Sequence, residues 1–424
     1  MDRKPAVNEI DRLTAESASL LKEMIAIPSP SFGEDAVSDH VSGFLASAGI
    51  RHTRLYNNII AVQPGYSPDK RTLMLCAHMD TVGPSDGYTF DPYRPDYGEL
   101  ANRHEWLKSA GAGSSSDIVA GLGANDDGAS AVAMISAFRH FYDSVLPVNL
   151  MLVLGAEEER SGKNGMEAVW KALETGTISV KDGDLSVTGQ VEGTTGHGSS
   201  GQPGSRQDNR TGNGRHTVGT PDWAIVGEPT GMKPAVAERG LLVIDGLAEG
   251  VSGHAAREEG VNALYIAMDD IRTLRDFNFS RISPLMGTVK LTVTQINAGT
   301  VHNVVPDRCS FVVDIRPTEQ YTNAEILAML QSECRSTLTA RNLKNRSSAT
   351  APDSPLSGCA EALGIETFVS PTTSDWMRIG CDAIKMGPGD SARSHRKDEY
   401  VTVGEIRDGI AKYIGFIKKF CDLA

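Results

Sequence analysis

The sequence predicts an α/β protein of two domains, in which a smaller ferredoxin-like domain is inserted into a larger one. Three observations carry that expectation. The chain has 424 residues, more than one hydrophobic core ordinarily organises. Short apolar runs alternate with helical periodicities over both ends of the chain, as in a sheet with at least some parallel strands. Between those ends, from about 240 to 345, the order changes to β-α-β-β-α-β, the pattern of a ferredoxin-like unit. The expected division is therefore 1–239 and 346–424 for the larger domain, with 240–345 inserted.

Taken in order, the elements follow from spacing. Ile10, Leu13, Leu20, Leu21, Met24 and Ile25 recur at helical intervals and stop at Pro28-Ser29-Pro30, where a helix cannot continue. A second amphipathic helix spans 34–48 and ends before Gly49. Apolar runs at 59–63, 72–77 and 149–154 read as strands, with a helix over 128–141 between the last two. In the insert the strands fall at 241–248, 288–297, 310–315 and near Leu338, and the helices at 262–277 and 323–336. The α/β pattern resumes from Ser357, through an apolar stretch at 383–386, to a helix over 403–420.

Residues 177–220 break the pattern. Their centre, Gly193-Thr194-Thr195-Gly196-His197-Gly198-Ser199-Ser200-Gly201, has almost nothing to bury, so the whole segment is expected to be a disordered insert. His197 and His216 within it are then solvent-exposed and not ligands. The Gly/Ser stretch at 109–116 reads the same way.

Composition narrows the function. Lys plus Arg number 41 against 54 Asp plus Glu, a formal charge of -13. A field of that sign repels nucleic acid and anionic lipid, and neither is an expected partner. The longest apolar run, 150–156, is far below the roughly 18 residues of a bilayer-spanning helix. Six cysteines are scattered with no C-x-x-C pair, and nothing near Met1 resembles a signal peptide, so a reduced, cytoplasmic protein is expected.

Five islands carry chemistry. The strand Leu73-Met74-Leu75-Cys76-Ala77 runs into His78-Met79-Asp80, so a ring nitrogen and a carboxylate emerge on one side of its end. A carboxylate placed to hold the second ring nitrogen is the usual support of a metal-bound histidine. Gly121-Leu122-Gly123-Ala124-Asn125-Asp126-Asp127-Gly128 is an acidic loop opening a helix. Glu157-Glu158-Glu159 follows the 149–154 strand. Gly227-Glu228-Pro229 and Gly387-Pro388-Gly389-Asp390, leading to Ser394-His395, complete the set. Each alone is ordinary loop chemistry; together, in this order and at strand ends, they suggest an active site.

That order resembles the zinc amidohydrolases that include acetylornithine deacetylase, succinyl-diaminopimelate desuccinylase, carboxypeptidase G and aminoacylase. It is most similar to the acetylornithine deacetylase-like branch at 125–130, 156–165 and 387–395. The resemblance implies a zinc-peptidase-like catalytic domain with an inserted lid and dimerisation domain. It implies two zinc ions, with cobalt or manganese as substitutes: one held by His78 and Glu228, the other by Glu159 and His395, and Asp126 bridging both. Asp80 would orient His78, and Glu158 would be the general base. The register of Glu157-Glu158-Glu159 stays open by one residue, and Asp127 competes with Asp126. In the insert, Ser252-Gly253-His254-Ala255 is similar to the lid histidine that completes a neighbouring subunit's site. Asn303 and Arg316 match positions that contact substrate. The implied activity is hydrolysis of a small N-acyl-L-amino acid, most closely N-acetylornithine, by a homodimer. A dipeptidase or tripeptidase on the same scaffold, and a catalytically silent binding protein, are the alternatives.

Overall fold

A computed structural model describes residues 7–181, 183–188, 210–211, 215–257 and 259–424. The chain is a two-domain α/β protein and divides into two compact units, one of residues 1–235, 350–367 and 378–424, the other of 236–349 and 368–377.

The first unit is built on a mixed sheet. Its strands run in the order His52–Leu55, Asn58–Val62, Asn149–Gly155, Thr72–His78, Trp223–Val226, Asp382–Lys385. The last four are mutually parallel and the first two antiparallel. Parallel strands are covered on both faces, which explains why Thr72–His78 and Asn149–Gly155 are buried at every residue instead of alternating. Helices Val7–Ile25, Ala129–Phe141 and Val403–Leu423 pack against one another. Leu13, Leu20, Phe138, Tyr413 and Phe416 lie in the core they share with the sheet.

Register then positions the chemistry. His78 lies opposite Gly155, and Val226 opposite both Cys76 and Lys385. Four parallel strands therefore end at one edge of the sheet, so the segments leaving them, which carry Asp80, Glu157 to Glu159, Glu228 and His395, start side by side.

Two expectations need correction. The flanks of 177–220 are ordered: Ile178–Lys181 pairs antiparallel with Asp184–Val187 and with Arg215–Thr217. Ile178, Val180 and Val218 are buried, and His216, paired with Val180, is half-buried rather than exposed. Three well-spaced aliphatic residues suffice for this small sheet, although the composition averaged over the segment conceals them. The centre of the segment, with His197, lies outside the described residues. The Gly/Ser stretch at 109–116 is ordered as well. Asp117 accepts from the backbone of Gly113 at 3.0 Å and of Ser114 at 2.8 Å, and Ser114 caps the short turn Ser115–Asp117.

The second unit contains the four-stranded antiparallel sheet expected of the ferredoxin-like order. It runs Lys290–Ala298, Arg308–Arg316, Leu242–Glu249, Thr337–Ala340, with helices Ala263–Asp276 and Asn323–Glu333. Leu242, Ile244 and Ala248 face inward to meet Phe311, Val313, Ile315, Ala267 and Ile326, the period-2 alternation of a sheet covered on one side. Thr322 and Glu325 form a reciprocal capping box that starts the second helix. Residues 368–377 join this unit, where Ser374 Oγ donates to the buried Glu238 carboxylate at 2.7 Å.

Candidate metal centre

The His78 ring sits at the end of its strand, 2 % exposed. Its Nδ1 lies 2.9 Å from the Asp80 carbonyl oxygen and 3.5 Å from the Asp80 carboxylate. The backbone carbonyl is thus the nearer partner, which leaves Nε2 free to face inward. That atom is 3.3 Å from Asp126 Oδ1 and 4.0 Å from Glu158 Oε2. Asp80 holds more than the ring. Its carboxylate accepts from the backbone N–H of Glu158 at 3.0 Å, of Glu159 at 3.1 Å, and from Ser31 Oγ at 2.7 Å. It therefore ties the end of one strand to the loop after the next.

The three glutamates take three directions. Glu157 has a left-handed φ of 59° and turns back into its own loop, accepting from Asn164 N at 3.0 Å and Asn164 Nδ2 at 3.1 Å. Glu158 points toward His78, and Glu159 lies 3.1 Å from His395 Nε2. His395 is in turn 3.7 Å from Asp126 Oδ2. Asp126 thus stands between the two histidines, one oxygen toward each.

Asp127 does not share that place. It is 1 % exposed, and neither of its oxygens makes a hydrogen bond of normal geometry. Burial, reinforced by the Asp126 charge, pushes its carboxyl up to about 8. Glu228 is driven well above the usual carboxylate range by burial and by the charges of Asp126 and Asp127, against the opposing pull of Lys385 and His78. Burial opposes the charged forms of Asp126 and His78 too. For these two, mutual pairing prevails, holding Asp126 low and His78 well above ordinary histidine. His395 is raised to about 9, first by its hydrogen bond to Glu159.

These are the electrostatics of a cation site. Asp126, Glu158, Glu159 and Glu228 converge with two imidazoles, and one donor atom each from His78, Asp126 and Glu159 lies within 4.8 Å of the others. Crowded carboxylates repel unless positive charge neutralises them. A mixed oxygen and imidazole set at this spacing fits divalent metal.

The remaining expected residues belong to the second unit. His254 lies in a two-residue strand, Gly253–His254, paired with Val304–Val305. Its exposed ring accepts from Ala256 N at 3.2 Å. Ala255 N donates to the Asn303 carbonyl at 3.1 Å, so the His254 and Asn303 segments adjoin. Arg316 places its guanidinium on Asp314, Nε to Oδ1 at 2.8 Å and Nη2 to Oδ2 at 3.1 Å. The fork expected to take a substrate carboxylate is therefore engaged by a neighbour on the same strand. Sequence reasoning missed Asn125 and Glu399, which are buried beside Asp126. The available signal was a polar residue preceding Asp126 and an acidic one four residues after His395.

The chain is similar to several known proteins. Residues 236–341 match the peptidase dimerisation domain of the M20 family, and residues 58–179 match peptidase family M28. Acetylornithine deacetylase of Myxococcus xanthus is 25% identical over 407 residues, covering 89% of this chain and 87% of its own. Succinyl-diaminopimelate desuccinylase of Cereibacter sphaeroides is 23% identical, covering 96% and 99%. Among solved structures, an M20 metallo-carboxypeptidase from Sulfolobus solfataricus superposes with a TM-score of 0.65 at 15% identity, covering 96% of this chain and 100% of its own. A dinuclear metal-binding M20 peptidase from Bacillus subtilis gives 0.61 at 12% identity, covering 97% and 99%. The chain is thus similar to M20 metallopeptidases over nearly its whole length and carries a match to their dimerisation domain. The cluster around Asp126 is its candidate metal centre. No helix among the described residues is long and apolar enough to cross a membrane.

Proposed function

We propose that this protein is an M20-type hydrolase that cleaves the amide bond of a small N-acyl-L-amino acid, most closely an acetylornithine-like substrate, with two zinc ions. The observation that carries the reading is the convergence of His78, Asp126 and Glu159 within 4.8 Å, with a Glu158 oxygen 4.0 Å from His78 Nε2. His78 and Glu228 are the residues for one ion, Glu159 and His395 for the other, and Asp126 for both. Zinc held there would supply a Lewis acid for the amide carbonyl and a lowered pKa for water. Glu158 takes a proton from the attacking water and returns it to the departing amine. Asp80 keeps the Glu158 and Glu159 backbone in place through its two accepted hydrogen bonds. His254, supplied by a second copy of the chain, donates to the oxyanion, and the domain at 240–345 acts as lid and dimerisation domain. The match to a peptidase dimerisation domain supports a homodimer, as do the exposed Val251, Val261, Tyr265 and Met268.

The test is a zinc-loaded and chelator-stripped substrate panel of N-acetylornithine, succinyl-diaminopimelate and simple di- and tripeptides. Hydrolysis of the acyl amino acid, lost on chelation and restored by zinc, is expected. Cleavage of peptides alone would transfer the protein to the peptidase activity named for several structural neighbours. Asp126→Ala should lose zinc and turnover together, and full zinc content in that variant would remove Asp126 from the ligand set.

A further inference from the structure

We propose that Asn125 and Glu399 form a reciprocal clasp that fixes Asp126 against His395, making both of them positioning residues for the cation held between those loops. The inference rests on the metal reading above and concerns two residues outside its ligand set.

Asn125 and Glu399 are 0 % and 2 % exposed. Each belongs to one ligand-bearing segment and bonds the backbone of the other. Asn125 precedes Asp126, and its side chain reaches into the segment that ends at His395. There it accepts from Asp390 N at 2.9 Å, and its Nδ2 donates to the Asp390 carbonyl at 3.0 Å and to Ser394 Oγ at 3.3 Å. Glu399 follows His395 by four residues, and its Oε1 accepts from Asn125 N at 2.8 Å and Asp126 N at 3.0 Å. Its main-chain carbonyl accepts from Gly121 N at 2.9 Å. Strand Tyr400–Thr402 then continues the contact antiparallel to Ile118–Ala120. The two segments lie more than 260 residues apart in sequence, with separations of 265 and 274 across these bonds, yet side-chain bonds run in both directions between them.

The fit is close enough to exclude a side chain. Gly389 has φ +90°, and a Cβ there would sit 2.3 Å from Asn125 Oδ1. Surface loops seldom meet through a buried amide and a buried carboxylate, because each polar group so enclosed is costly unless every contact is made. A generic tether could have been apolar. A polar one defines distance and direction, which the Asp126 to His395 spacing requires if both are to reach one ion.

The experiment measures zinc affinity by competition with a chelator, together with the thermal midpoint of the metal-free protein. Glu399→Ala and Asn125→Ala are each expected to weaken the looser zinc site by about ten- to a hundredfold. Glu399→Gln, which keeps an acceptor oxygen, should stay within a few-fold of wild type. The double alanine variant should be little worse than the weaker single one, because both act on one spacing. A purely structural role would lower the midpoint and leave the zinc affinity of folded protein unchanged, which overturns the proposal. Damage from Glu399→Gln equal to that from alanine also overturns it. If Glu399→Ala yields no folded protein, Glu399→Asp, which withdraws the carboxylate by one methylene, is read by the same criteria. A wild-type protein that binds no zinc overturns the metal centre itself. Zinc bound equally well by wild type and Glu399→Ala overturns the clasp alone.

Discussion

Asp270 in the second unit and Asp127 in the first are equally hidden from water, at 3% and 1% exposure, and their surroundings treat them in opposite ways. Asp270 accepts from Arg335 N at 3.0 Å, from Ser336 N at 2.7 Å and from the Ser336 hydroxyl. Its carboxylate ties helix Ala263–Asp276 to the turn just before strand Thr337–Ala340 and is fully used in doing so. Asp127 has no such donors, and its neighbours include Asp126. Elsewhere in the second unit, Asp245 and Asp276 pair with Arg341 and Arg275 near the surface. Among the described residues, the first unit is where Asp126, Asp127 and Glu228 crowd one buried site, each raising the charge that the others must bear. A buried acid alone therefore says little; a buried acid without enough donors marks where outside positive charge belongs.

The largest consequence concerns Glu158, the acid whose carboxylate faces His78 Nε2. Glu158→Gln should lower turnover by a factor of roughly a hundred or more while zinc content holds. Glu159→Gln should instead lose metal. Metal loss from the first and not the second, read by metal analysis of purified protein, would reverse the two roles.

Asp270→Ala should show the contrary behaviour. It strips acceptors from two backbone N–H groups and a hydroxyl, so a loss of about 2 kcal/mol is expected. Denaturant unfolding would measure it, with zinc content unaffected. A change in zinc content would mean that the two kinds of buried acid are not separable.

A further effect is a slope with pH. Asp127 ionises near 4 in an unfolded chain and at about 8 when folded. Between those values the unfolded chain holds fewer protons at this site, so the contribution of Asp127 to stability falls as pH rises and levels off above 8. Asp127→Asn removes that contribution. In metal-free protein its thermal midpoint should gain on wild type steadily from pH 4 to pH 8. Parallel curves for the two proteins would show that Asp127 is neutralised in some other way.

Much of the metal centre was legible because parallel strands align their ends. Once 72–77, 149–154 and 383–386 read as buried strands, their trailing loops had to meet, and Asp80, Glu159 and His395 came with them. The choice among adjacent acids was not legible. Which glutamate faces inward depends on the left-handed turn at Glu157 and on Asn164, seven residues later. Asp126 and Asp127 have identical side chains, and only the backbone path separates them. Asn125 and Glu399 were hidden by distance along the chain, since neither residue alone has a motif. The strands at 178–187 were missed for a different reason: hydropathy averaged over a polar segment dilutes Ile178, Val180 and Val218. Arg316 was correctly placed at the end of a strand, but its pairing depends on Asp314 sharing its face of that strand two residues before.

The placement of the second unit within the sequence also sets a timetable. Ribosomes add about 5–20 residues per second. Trp223–Val226 is finished long before its parallel neighbour Asp382–Lys385 exists, a wait of roughly 10–30 s at that pace. During it the four-stranded sheet of the second unit, whose final strand ends at Ala340, is already complete in the emerging chain. The older strand meanwhile keeps an unpaired edge, the kind of surface that recruits stray strands and is guarded by chaperones. His395 emerges later still. The candidate centre can close only after residue 395 has been made, so a chain interrupted anywhere before it is released without one of the two histidines.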